Sequence, residues 1–135
     1  MATFTKFNSF VEAVAEKVHN LGSDTLKVAL TNSAPTSSNT KLSDITEISY
    51  TNCSSRTLTQ SSSAQTSGTY KLVISDLVLT ASGTVGPFRY IVIYNDTATN
   101  KELIGYYDYG SSLTLANTDT LTLDFDGTNG LLQIA

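Results

Sequence analysis

Residues 86–135 read GPFRYIVIYNDTATNKELIGYYDYGSSLTLANTDTLTLDFDGTNGLLQIA, and this stretch decides the fold. Phe88-Arg89-Tyr90-Ile91-Val92-Ile93-Tyr94 is the most apolar run of the chain, and its near-continuous hydrophobicity predicts a central strand buried on both faces. Asn95-Asp96-Thr97 supplies a turn, and residues 102–109 return as a partner strand. Thr114 and Leu115, then Leu121, Leu123 and Phe125, follow with period two around the turn Ala116-Asn117-Thr118-Asp119. A last hairpin is expected through Asp126-Gly127-Thr128-Asn129-Gly130 into residues 131–134.

Working outward, Tyr70-Lys71-Leu72-Val73-Ile74 has the β-branched and aromatic character of a core strand and is expected to continue through Leu77-Val78-Leu79. Gly86-Pro87 reads as a turn. Leu26-Lys27-Val28-Ala29-Leu30 alternates as a further strand. Closely spaced strands with short turns predict a mainly β fold, an antiparallel β-sandwich, jelly-roll-like, rather than a parallel α/β architecture.

One helix is expected at the start. Phe7, Phe10, Val11, Val14, Val18 and Leu21 recur at spacings of three and four, an amphipathic stripe over residues 5–21 with Thr5 or Asn8 as cap and Asn20-Leu21-Gly22 as stop. Its apolar face lies either on the domain's own sheet or on a neighbouring subunit. Between the helix and the strands, residues 32–68 form a polar loop and arm region. Asn32 to Thr40 is a loop by composition, Leu42, Ile45 and Ile48 fit a helical turn or a weak strand, and residues 49–68 are nearly all Ser, Thr, Asn and Gln. That last segment reads either as an exposed, partly mobile arm or as strands packed on a neighbouring chain.

A chain of 135 residues matches one domain, residues 1–135. Charged residues make up only 15%, so the surface is polar but weakly charged, and the eight Lys and Arg are scattered under a net charge of −4. That balance argues against nucleic acid as a partner. No apolar run approaches a membrane span, and the opening Met1-Ala2-Thr3-Phe4-Thr5-Lys6 lacks the pattern of a secretory leader. Cys53 is alone, which rules out an intrachain disulfide and favours synthesis in a reducing cytoplasm.

The chain carries little chemistry. His19 is the single histidine and reads as a solvated or half-buried helix residue; no second histidine completes a zinc site. No serine lies in Gly-x-Ser-x-Gly or Ser-x-x-Lys, and no phosphate-cradling glycine loop is present. No enzyme activity and no cofactor are expected. Asp124, Asp126 and Asn129 place hard oxygen ligands on a turn and form a weak calcium candidate, set against the plainer reading that Asp-Gly and Asn-Gly supply hairpin geometry. Tyr106, Tyr107 and Tyr109 around Asp108 make a polar-aromatic cluster of a kind found at interfaces and sugar sites, or simply cross-strand pairs in a sheet.

Several pieces carry a family resemblance: FNSFVEAVAEKVHNLG with LKVALTNSAP, then SSAQTSGTY, GPFRY with Tyr94-Asn95-Asp96, and LIGYYDYGS. Together they make nearly the whole chain similar to small tailed-bacteriophage virion structural proteins; Gly-Pro-Phe-Arg-Tyr and Asp-Tyr-Gly-Ser are the most specific pieces. The resemblance implies a virion protein, made in the host cytoplasm and bearing no catalytic residues. Within a virion it implies a capsid decoration, or cement, protein on the outer surface that binds the major capsid protein and associates with itself as a dimer or trimer. Asn32 and Pro35 in the loop, Tyr50 and Arg56 in the arm, and Tyr106, Tyr107 and Tyr109 as anchors are the interface candidates. The alternatives are a receptor- or glycan-binding tail component and a tail-tube or head-completion ring protein.

Overall fold

The computed structural model of the protein describes residues 2–135. Its first layer is a four-stranded antiparallel sheet in the order β1 (Thr5–Lys6), β7 (Leu103–Leu115), β6 (Val85–Asn95), β2 (Leu26–Thr31). The apolar run at 88–94 lies in β6, between β7 and β2, and is buried on both sides as its composition predicts. Ile91 and Ile93 face a large core with Val28, Leu30 and Ile104, while Val92 and Tyr94 face a smaller one with Phe7, Ala29, Ile45 and Leu103. The cross-strand partners Val28 with Ile93 and Ala29 with Val92 set this division, because successive side chains point to opposite faces. Burying each such side chain contributes roughly 1.5–3 kcal/mol.

The second layer comprises β3 (Gln60–Thr66), β4 (Thr69–Ile74) and β9 (Leu132–Ile134) in one sheet, and β5 (Leu77–Thr80) with β8 (Thr120–Leu123) in another. The two are halves of one interrupted ribbon: β4 runs on into β5, β8 runs on into β9, and the pairs are β4 with β9 and β5 with β8. The expected single strand from 70 to 79 is therefore broken at Ser75-Asp76, where the Asp76 carboxylate accepts the Phe125 N–H at 2.9 Å. The expected terminal hairpin is likewise absent, since β8 and β9 pair with different strands and the turn between them only bridges the break. Leu72, Ile74, Leu79, Leu123 and Phe125 pack against the first layer through the large core, giving a mainly β, antiparallel, sandwich-like fold with one α-helix among the described residues.

Two further expectations are corrected. The helix spans only Ser9–Ala15 rather than 5–21. Thr5 and Lys6 are drawn into the sheet opposite Tyr106 and Gly105, and Lys17 adopts φ +66°, with Val18 N–H bonded to Ala13 O and Lys17 N–H to Val14 O. That is a Schellman stop, placed five residues before the glycine. The helix packs in cis through Phe10, while Val11 of the stripe is 57% exposed. Gly86-Pro87, joined by a cis peptide, is not a turn between strands but lies in the irregular start of β6; a Cβ at Gly86 would come within 2.7 Å of Leu113 O.

The polar region is ordered by its backbone. In the 32–40 loop, Ser37 O accepts the Asn8 N–H and Thr40 O accepts the Leu103 N–H, each at 3.0 Å. A 3-10 turn, Leu42–Asp44, follows. Residues 48–58 then run along the outer edge of β2: Ile48 N–H bonds Leu30 O, Val28 N–H bonds Arg56 O, and Leu58 N–H bonds Leu26 O. Residues 48–58 thus complete the edge of the chain's own sheet, while Gln60–Thr66 forms the exposed strand β3. No helix among the described residues is long and apolar enough to cross a membrane.

Candidate functional site

Strand alternation divides the tyrosine cluster of β7. Tyr106 lies against Phe7, ring centroids 5.3 Å apart, and lines a cleft of about 520 Å3 with Pro35, Tyr90, Thr5 and Asp108. Tyr107 turns to the opposite face, 5.5 Å from Phe4 and 6.1 Å from Phe125. There it borders a cleft of about 260 Å3 with Tyr109, Leu121, Leu123 and Asp124. Burial pushes the Tyr107 phenol up to about 12, with the Asp126 carboxylate adding to the effect, so it stays neutral at physiological pH. Tyr109 is exposed. The three tyrosines thus serve two clefts on opposite faces of one ribbon, and the structure joins Pro35 from the loop to Tyr106.

Asp108, which lines the Tyr106 cleft, centres an exposed stretch of β7. Its carboxylate accepts Arg89 Nε at 2.8 Å and Arg89 Nη2 at 3.1 Å, and also the Gly110 N–H at 2.8 Å. The Arg89 guanidinium first, and the backbone donor second, hold this carboxyl below the usual carboxylate range. Both side chains are solvent-accessible, so the pair orients the surface more than it stabilises the fold. Asn32 joins the same region, its Oδ1 accepting the Ser112 hydroxyl at 2.8 Å.

Tyr50 and Arg56 hold the edge segment to β2. The Tyr50 hydroxyl accepts the Leu30 N–H at 2.9 Å and donates to Glu47 at 2.7 Å. Arg56 stacks its guanidinium 3.6 Å from the Tyr50 ring centroid and donates to Val28 O at 2.6 Å. Burial, then the bond to Glu47, drives the Tyr50 phenol well above its ordinary range. These two candidates are engaged within the chain.

The Asp126 carboxylate accepts the N–H groups of Thr128 and Asn129, each at 2.8 Å, and the Asn129 side-chain amide at 3.0 Å. Those bonds hold it below its usual range. Asn129 presents a donor rather than its oxygen, and Asp124 lies apart in the Tyr109 cleft, so the turn chemistry accounts for this sequence. Among the described residues no three His, Cys, Asp or Glu side chains are grouped to hold a metal ion.

One polar centre was invisible in the sequence. Asn95, read there as a turn residue, is fully buried at the end of β6. Its Oδ1 accepts the N–H groups of Thr97 and Ala98, which fixes the amide so that Nδ2 donates to Asp24 at 2.7 Å and to His19 Nδ1 at 3.0 Å. His19 Nδ1 is therefore the unprotonated nitrogen of a neutral ring, and the proton sits on Nε2. His19 lies beyond the helix, buried against Phe10, contrary to the expectation of a solvated or half-buried helix residue. Burial lowers its pKa, opposed by the carboxylates of Glu102 and Asp24. This hub fastens the 19–24 loop to the sheet; the one local cue, an Asn after an apolar strand, is shared with any turn.

Comparisons with protein-family models, with curated proteins and with solved structures return no match.

Proposed function

We propose that this chain is a non-enzymatic virion structural protein of a tailed bacteriophage that binds the outer capsid surface and stabilises contacts between major capsid subunits. One observation carries the reading. The two most specific pieces of the sequence resemblance, at 86–90 and 108–111, are neighbours across the β6–β7 ribbon. Tyr90 pairs with Asp108 there, and Arg89 grips the same carboxylate. The resemblance thus falls on an exposed, shaped surface flanked by Pro35, Tyr106 and Tyr109 rather than on core residues alone. A weakly charged surface with net charge −4 suits the outside of a shell, away from its nucleic acid. Many copies of such a contact, each of modest affinity, hold a shell by avidity.

The test mixes purified protein with undecorated expanded shells and with unexpanded precursors and asks by sedimentation which carries it down. Co-pelleting with expanded shells is expected. Binding to neither, well above micromolar concentration, removes the proposal. The Tyr107–Tyr109 cleft, with its carboxylate at Asp124, favours a second reading, glycan binding by a tail component. Oligosaccharide-induced shifts of the Tyr109 ring signals, together with no shell binding, would select it.

A further inference from the structure

Sheet edges carry unpaired N–H and C=O groups, and soluble chains cover or blunt them. Among the described residues several edges are treated in this way. Residues 48–58 cover β2. Ser54 covers β5, its N–H on Thr80 O at 3.1 Å and its hydroxyl accepting the Thr80 N–H at 2.8 Å. β1 covers β7 at Gly105 and Tyr106. Farther along, the Asp108 carboxylate takes the Gly110 N–H, at a glycine with φ +98°. β9 is only three residues long.

β3 has no such cover among the described residues. It is seven residues long, QSSSAQT, with every residue after Gln60 exposed, no charge, no proline, and β4 as its one neighbour. The register irregularity is confined to Ser61, leaving 62–66 regular. Ser67 and Gly68, at φ +52° and +82°, form a two-residue turn closed by Thr66 and Thr69. In such a hairpin the closing pair exchanges hydrogen bonds and alternate pairs repeat them. Ser62 and Ala64 therefore bond to β4, and the N–H and C=O groups of Ser63 and Gln65 point outward.

We propose that this edge pairs with β3 of a second copy of the chain, antiparallel across a two-fold axis near Ser63, joining the two three-stranded sheets into one. Two-fold contacts must be self-complementary, and this strand is. Antiparallel pairing about Ser63 sets Ser62 opposite Ala64, Ser61 opposite Gln65 and Gln60 opposite Thr66, all uncharged, although each chain carries a net −4. An edge meant for a distinct strand would gain specificity from larger or charged side chains; this one offers main-chain bonds and small polar groups. A contact this narrow falls short of the about 20–30 residues a side of a stable interface, so the dimer is weak in free solution. The inference concerns the free chain and stands whether or not it decorates a capsid.

Sedimentation equilibrium up to about 1 mM, the affinity scale of weak contacts, is expected to show a concentration-dependent dimer. Amide exchange at Ser63 and Gln65 is expected to slow with concentration while that of Asp108 and Gly110 does not. The double variant Ser62→Lys with Ala64→Lys opposes like charges at two positions and is expected to associate about tenfold more weakly, with unchanged near-ultraviolet circular dichroism. A wild-type monomer throughout, a dimer with unprotected Ser63 and Gln65 amides, or a folded double variant that associates as tightly as wild type would each overturn the inference. Should the double variant not fold, the wild-type exchange pattern decides.

Discussion

The β6–β7 ribbon and the 32–66 region are ordered by different means. The ribbon is held by side chains: Phe88, Ile93, Leu103 and Ile104 are all fully buried, and over 91–95 and 103–105 its hydrogen bonds lie between buried faces. Residues 32–66 bury little beyond Ile45 and Leu58 and are held by backbone bonds to β2, β4 and the N-terminal segment, with Tyr50 and Arg56 as latches. Burial leaves a mark in composition, whereas backbone pairing leaves almost none. A serine-rich stretch can therefore be as well placed as a valine-rich one.

Substitutions that attack each means separately test this contrast. The largest effect is expected in the ribbon: Phe88→Ala should cost about 4 kcal/mol in denaturant unfolding, because a fully buried ring leaves a cavity between two packed layers. Asn95→Leu should cost about 3 kcal/mol, since it keeps the volume but leaves the N–H groups of Thr97 and Ala98 without their acceptor and takes the amide donor away from Asp24 and His19. In the polar region, Tyr50→Phe should cost only about 1–2 kcal/mol, from the Leu30 N–H it strands. Its amide-exchange signature should be local to β2; a global loss as large as that of Phe88→Ala would erase the distinction between the regions.

At the helix stop, Lys17→Gly should stabilise by about 0.5–1 kcal/mol, because glycine relieves the positive φ. The smallest effect is expected from His19. Its folded pKa lies below the ordinary 6.5, chiefly through burial, so the unfolded chain takes up the proton first. Its contribution is complete above 6.5 and is lost as pH falls through the folded value. Melting temperature measured downward from pH 8 should begin to drop in that window for the wild type and not for His19→Gln. The depressed carboxyls of Asp108 and Asp126 act lower, their stabilisation present above the carboxylate range and lost in acid.

Much of the fold was legible where period and burial coincide. The 88–94 run gave a strand buried on both faces, and the turn at 95–97 with the returning strand gave the ribbon. The helix was overextended because Phe7 and Leu21 are buried, as a helical stripe requires, yet lie outside the helix in segments that the sheet and the Asn95 hub hold in place. Of the candidate residues, Pro35 and Tyr106 share one cleft and Tyr109 borders another. The partition of Tyr106 from Tyr107 needed a known strand direction, and the internal use of Tyr50 and Arg56 needed a known neighbour.

By itself the sequence determined that this chain is mainly β, with strands at 26–30, 70–74, 88–94 and 102–109, because alternation and apolar runs are local properties. Tertiary structure alone decided which strands share a sheet, that residues 48–58 close the edge of β2, and that β3 keeps an open edge. Those outcomes depend on backbone hydrogen bonds between residues distant in the chain, and the peptide group that makes them is the same at every position.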